Sequence, residues 1–218
     1  MKNFLKKSLA IFGILFLMVL TYSQFYNPSN ENYTLDHSLK TQISSRTSNY
    51  VELDKLPKNL INATIAMEDK RFYRHGGFDI LAIMRAAIMD IKEGRFVQGG
   101  STITQQLAKN LFLSRQKSLT RKFHEIIIAS KLERMFTKED ILEMYLNIIY
   151  YGAGAHGVND ASNVFFSKNV SNLTLEECAM LAGLPQAPSR YNPVEHMETA
   201  KKRQKIVMSV MLKNGYIR

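Results

Sequence analysis

The chain has a single cysteine, Cys178, in 218 residues. That excludes a disulfide framework and any cysteine-based zinc cluster. Proline and glycine are sparse, with 5 and 11 residues, which excludes collagen-like and linker-like chains. No repeat or low-complexity tract occurs, and alternating apolar–polar runs are nearly absent, so the pattern is not that of an all-β fold. Acid is the scarcer charge: 19 Asp+Glu stand against 29 Lys+Arg, a formal net charge of +10. A surplus of that size implies an anionic partner, whether nucleic acid, an anionic membrane or a phosphorylated substrate. Hydrophobic residues at 45% and charged residues at 22% are ordinary for a globular chain, and the length suits one domain plus an attachment.

The attachment is at the N-terminus. Lys2, Lys6 and Lys7 precede an apolar run from Leu9 to Leu20 that only Gly13 relieves. Counted from Ser8 through the Thr21–Phe25 tail, the stretch reaches the ~17-residue lower limit for a membrane-spanning helix. A cleaved secretory signal is the alternative, but Thr21-Tyr22-Ser23-Gln24-Phe25-Tyr26 offers no A-x-A site and suits an aromatic belt. The expectation is a cytoplasmic basic end at 1–7, a signal-anchor at 8–25, a juxtamembrane linker rich in Asn, Ser, Thr and Tyr at 26–50, and a folded domain at 51–218 outside the membrane.

Within that domain the apolar spacing is helical. Helices are expected over Asn59–Arg71, Phe78–Lys92, a segment capped by Ser101 and running to Leu113, Arg121–Phe136, a segment capped by Thr137, a segment opening on the capping box Thr174-Leu175-Glu176-Glu177, and Glu198–Lys213. Tyr151–Gly157 breaks the helical pattern, and one short hairpin is expected near Phe96–Gly100. The fold class is mainly α.

Two clusters could carry chemistry. Glu68 follows Ile65-Ala66-Met67 at a helix end that should pack on a core. Desolvation there would raise its pKa and suit it to proton transfer; the bland alternative is a solvated acid paired with Arg71. The segment from Ser101 to Phe136 holds seven basic residues, Lys109, Arg115, Lys117, Arg121, Lys122, Lys131 and Arg134, against Glu125 and Glu133. That suits a polyanion, most simply a pyrophosphate. The Gly99-Gly100-Ser101-Thr102 turn offers backbone N–H groups but is no Walker-type loop. Nucleic acid is the rival reading of the charge, yet no aromatic-interleaved basic strand, zinc spacing or recognition helix is present. Ser114-Arg115-Gln116-Lys117 matches the Ser-x-x-Lys acylation pattern but lacks its partner motifs.

These residues also form ordered motifs. Glu68-Asp69-Lys70-Arg71-Phe72-Tyr73-Arg74-His75-Gly76-Gly77 matches Glu-Asp-x-x-Phe-x-x-His-x-Gly; Gly99 to Gln106 reads Gly-Gly-Ser-Thr-Ile-Thr-Gln-Gln; Arg121-Lys122-Phe123-His124-Glu125 matches Arg-Lys-x-x-Glu; and Lys138 to Asn147 carries Lys-x-x-Ile-Leu-Glu-x-Tyr-Leu-Asn. A fifth, Arg203 to Met208, departs only in Met for Leu, which conserves volume. From Leu56 to Tyr216 the sequence resembles glycosyltransferase family 51, the peptidoglycan glycosyltransferases.

The resemblance implies a lysozyme-like helical head with a small membrane-proximal jaw. Either Leu81–Ile91 or Leu111-Phe112-Leu113 would supply the part that enters the bilayer. It implies an enzyme that polymerises lipid II, a polyprenyl-pyrophosphate disaccharide-peptide, onto a growing glycan strand. Glu68 would be the general base and Glu125 the second essential acid. Lys109, Lys117, Arg121 and Lys122 would face the pyrophosphate, and Ser101, Gln105, Gln106 and Asn110 would line the cleft. Asp69, Phe72, His75 and Arg203 would support these groups. No cofactor is implied and no residue is assigned to a metal, although a divalent cation, Mg or Mn, would be stimulatory. Because the sequence ends soon after Tyr216, a monofunctional enzyme is expected, on the outer face of a bacterial cytoplasmic membrane, with cell-wall synthesis or division proteins as candidate partners and no nucleic acid. A lysozyme-like hydrolase and a non-catalytic lipid II-binding scaffold are the alternatives. The first does not need the dense basic patch, and the second would not need both acids.

Overall fold

In a computed structural model of the chain, the described residues are 26–218 without 27, 94–99, 115 and 117. The anchor expected at 8–25 and most of the hairpin expected near Phe96 lie outside them. Among the described residues no helix is long and apolar enough to cross a membrane.

The domain is helical, as its apolar spacing predicts. Its α-helices are α1 (Leu39–Arg46), α2 (Lys58–Glu68), α3 (Ile80–Glu93), α4 (Ile103–Phe112), α5 (Leu119–Met135), α6 (Lys138–Ile148), α7 (Val158–Phe166), α8 (Leu175–Gly183), α9 (Pro188–Tyr191) and α10 (Met197–Lys213). Helix starts follow side-chain chemistry. Thr137 caps α6 and Thr174 caps α8 in full capping boxes with Asp140 and Glu177, each satisfying two otherwise open N–H groups. The cap of α4 is Thr102, boxed with Gln105, and not Ser101. Ser101 is left free to face the cleft. α5 begins two residues earlier than expected, because Ser118 caps it.

One expectation needs correction, and one element was not anticipated. The stretch expected as a linker at 26–50 contains α1, and its Leu35, Leu39 and Ile43 are buried in the main core. The polar composition hid a helix with only a few apolar positions, all turned inward. Among the described residues a hairpin forms at Tyr150–Gly152 (β1) and Ala155–His156 (β2), paired antiparallel; it overlaps the Tyr151–Gly157 segment recognised only as a helix break. Its turn needs glycine: Gly152 and Gly154 have φ of 105° and 78°, which side-chain-bearing residues rarely adopt.

The main core joins α1, α2, α4, α5, α6 and α7 through Leu39, Leu60, Leu107, Leu132, Leu142 and Ala161, with Phe72 and Tyr151 among them. A smaller cluster of Ala63, Ala179, Ala182, Val207 and Met211 lets α2, α8 and α10 approach closely, because small residues line the contact. α4 packs on α5 and α6, and α2 on α8 and α10. The ends of α2, α4 and α5 thereby converge, and the motif residues sit there.

Candidate active site

Glu68 is the last residue of α2. Burial of α2 in the core desolvates its carboxyl group and raises its pKa. The Gln106 hydrogen bond and the positive charges of Arg203 and Lys109 oppose that rise without cancelling it. Gln106, on α4, donates from Nε2 to Glu68 Oε2 at 2.7 Å. Arg71 does not pair with Glu68; its guanidinium lies 3.5 Å from Asp79, so the bland alternative for Glu68 is not what the fold adopts.

The neighbouring Asp69 ties the motif to α4. Its Oδ1 lies 2.7 Å from His75 Nε2, and its Oδ2 accepts from the Ile103 amide at 3.1 Å, at the open N-terminus of α4. Burial works against a charged His75 ring, but the hydrogen bonds to Asp69 and the Gly76 carbonyl outweigh it and raise its pKa. Thr102 Oγ1 donates to the Gly77 carbonyl at 2.9 Å. Gly77 sits so close to α5 that a Cβ would lie 2.7 Å from the Ala129 and Ser130 backbone. Phe72 is fully buried, with the Lys138 ammonium 4.4 Å from its ring centroid.

The second acid, Glu125, lies on α5 and is 4% exposed. Arg121, one turn earlier, reaches its Oε1 at 3.0 Å, and Lys122 reaches its Oε2 at 2.9 Å. The same Lys122 ammonium also donates to Ser101 Oγ at 2.8 Å and Gln105 Oε1 at 3.1 Å. Lys109 is half-buried within the fields of both Glu125 and Glu68. Burial lowers its pKa, partly offset by the acids. Two buried donors, Gln105 Nε2 and Arg121 Nε, have no partner among the described residues. Buried donors are nearly always satisfied, so each of the two is open to a further acceptor.

A cleft of about 400 Å³ opens beside Glu68, lined among others by Arg71, Arg85, Ser101, Gln186 and Arg203. Arg203 sits over the Tyr191 ring and donates to the Gly183 carbonyl at 3.3 Å. A larger groove of about 880 Å³, with Lys40, Tyr50 and Glu143 on its wall, includes neither acid.

Of the expected residues, Glu68, Asp69, Phe72, His75, Ser101, Gln105, Gln106, Lys109, Arg121, Lys122, Glu125 and Arg203 are linked by these contacts and fields. Asn110 is exposed on α4 and makes no hydrogen bond to either acid, and Lys117 lies outside the described residues. Arg85, Gln186 and Tyr145 were not anticipated. Tyr145 had a signal: a phenol in the apolar face of α6 must find a partner for its hydroxyl. Asp69, His75 and Asp79 bring potential metal-ligand atoms within 4.8 Å of one another. Their side chains are already engaged with each other, with Arg71 and with the Ile103 and Ala82 amides, so a metal there would have to displace these contacts.

Comparison with known proteins agrees with the motifs. The transglycosylase family model matches residues 36–212, which takes in α1. Penicillin-binding protein 1A of Aquifex aeolicus is 46% identical over 215 residues; the match takes in 94% of this chain but only 30% of that protein. A Cupriavidus necator protein that carries the transglycosylase name is 46% identical over 78% of this chain and 74% of its own length. The crystal structure of penicillin-binding protein 1A from Haemophilus influenzae is 26% identical, with a TM-score of 0.45, over 78% of this chain and 16% of that one. The chain belongs to the transglycosylase family, the glycosyltransferase family 51 to which its motifs point.

Proposed function

We propose that this enzyme polymerises lipid II into β-1,4-linked glycan strands for peptidoglycan synthesis. The observation that carries the reading is the pairing of a desolvated acid, Glu68, with a second acid, Glu125, embedded in cations. Two carboxylates in opposed environments divide roles in sugar chemistry.

Glu68 takes the proton from the 4-hydroxyl of the acceptor's N-acetylglucosamine. That oxygen attacks the anomeric carbon of the donor's N-acetylmuramyl unit from the face opposite the leaving group. The bond to the pyrophosphate breaks, configuration inverts, and polyprenyl pyrophosphate departs. A base works best when its pKa lies near the working pH, and burial moves Glu68 in that direction. Negative charge grows on the leaving oxygen, so fixed cations stabilise the transition state more than the ground state. Lys109, Arg121 and Lys122 would supply that field, and the open donors of Gln105 and Arg121 would meet phosphate or sugar oxygens. Glu125 holds Arg121 and Lys122 in place. A divalent cation beside the pyrophosphate would add to the same field; addition of EDTA to the assay below reads its contribution.

A lipid-bound substrate requires the site to lie at a membrane. Ile80, Leu81, Ile83, Met84 and Ile88 of α3 are all exposed, Leu81 at 54%. Leu111 is buried, and Phe112 and Leu113 pack on the core. Of the two apolar segments weighed from sequence, α3 is therefore the one that would enter the bilayer, with the catalytic domain on its outer side.

The test is polymerisation of labelled lipid II by the full chain in detergent, with Glu68→Gln beside it. A glycan ladder is expected from the wild type, with at least a ~100-fold loss in Glu68→Gln. Equal ladders would remove Glu68 from the mechanism. Cleavage of finished glycan without synthesis would favour a hydrolase, and lipid II binding without either reaction would favour a scaffold.

A further inference from the structure

Tyr145 is fully buried on α6, and a buried hydroxyl without a partner is costly. Its hydroxyl donates to Gln106 Oε1 at 3.3 Å. Nε2 of the same amide donates to Glu68 Oε2 at 2.7 Å. A glutamine amide has one accepting end and one donating end, and a phenol donates more strongly than it accepts, so the two bonds together favour the orientation that turns Nε2 to Glu68. While Glu68 is ionised, the carboxylate alone would choose the donor. Once Glu68 has taken a proton, its O–H would compete for the amide oxygen, and that oxygen is already engaged by Tyr145. The three residues come from α2, α4 and α6, which share one core, and the capping box of α6 fixes its register at the start.

We propose that Tyr145 is a positioning residue for proton transfer, acting through Gln106 to keep the amide donor on Glu68 throughout the catalytic cycle. The inference rests on the transferase reading. Its consequence is electrostatic: an N–H held on the carboxylate favours the ionised base. The other groups that bear on Glu68 are Asp69 beside it, Lys109 on α4, Arg203 on α10 and Tyr151 on β1. Asp69 favours the protonated acid, and the two cations favour the carboxylate. Burial keeps both tyrosines neutral, with pKa values raised far above their ordinary range.

The experiment is the pH dependence of kcat/KM for lipid II polymerisation by the full chain, wild type against Tyr145→Phe, with melting curves of both. The acidic limb is expected to move to higher pH in Tyr145→Phe. Activity below the limb should fall about tenfold for each unit moved, recover at alkaline pH, and show an unchanged KM. Gln106→Leu should move the limb the same way, and the double variant should move it no further than Gln106→Leu alone. A limb that stays in place in Tyr145→Phe, or a rate lost equally at every pH, overturns the proposal. If Tyr145→Phe melts far below the wild type, 3-fluorotyrosine at position 145 replaces it as the test. That side chain keeps the shape and donates more strongly, so the limb should move to lower pH, and an unmoved limb overturns the proposal there too. A wild type that makes no glycan would overturn the transferase reading itself, which is distinguishable from an unmoved limb in an active enzyme.

Discussion

At Glu68, burial and hydrogen bonding pull in opposite directions, and burial wins. The folded protein therefore binds this proton more readily than the unfolded chain does. Stability drawn from the group is fully present below the unfolded pKa and falls as pH rises through the folded-state pKa. Glu68→Gln is thus expected to melt at or above the wild type near pH 7.5, with the advantage closing as the pH falls towards the ordinary carboxylate range. Melting curves across pH check this; a variant less stable than the wild type at neutral pH only would contradict it. On the proposed mechanism, the cost of the ionised acid is the cost of keeping a base in the site. Glu68 was legible in the sequence as an acid behind an apolar helix face, but its partner was not. Gln106 is 38 residues away, and spacing cannot show that α2 and α4 end side by side. Glu125 was more legible, since Arg121 and Lys122 are one turn away on the same helix.

Among the elements, helices with chemical caps were the most readable. Thr137 and Thr174 announce α6 and α8 because their boxes are local. The hairpin at Tyr150–His156 was not anticipated because strands of two or three residues carry no alternation to detect. α1 was missed because only Leu39 and Ile43 of its eight residues are buried, too few to stand out in a polar stretch. Its burial makes a quantitative prediction: Leu39→Ala should destabilise the domain by about 3 kcal/mol, seen as a lowered midpoint in urea. A change below about 0.5 kcal/mol would mean that the segment is the loose linker its composition suggests.

For the molecule as a whole, charge and apolar surface act together. The net charge of +10 draws the protein to anionic surfaces, and the exposed apolar residues of α3 gain by leaving water. In residues 26–218 alone, so that the expected anchor does not dominate, replacing Ile80, Leu81 and Met84 with serine should weaken co-sedimentation with anionic vesicles at least about tenfold, since each apolar side chain contributes ~1.5–3 kcal/mol when fully buried. The wild type should also release partly at high salt, as screening removes the electrostatic share. Equal binding by the variant and wild type would exclude α3 as the contact.

The amino-acid sequence by itself determined the helical class, the capped starts of α6 and α8, and the ordered motifs with Glu68 and Glu125 among them. Each of these depends on residues within a few turns of one another. The tertiary structure decided what depends on distant segments meeting. It set which side of α3 faces outward and made α1 part of the core. It tied Asp69 to the start of α4 and brought Tyr145, Gln106 and Glu68 into one line. Periodicity places a side chain on a face, but only packing determines what that face meets and how much water remains around it.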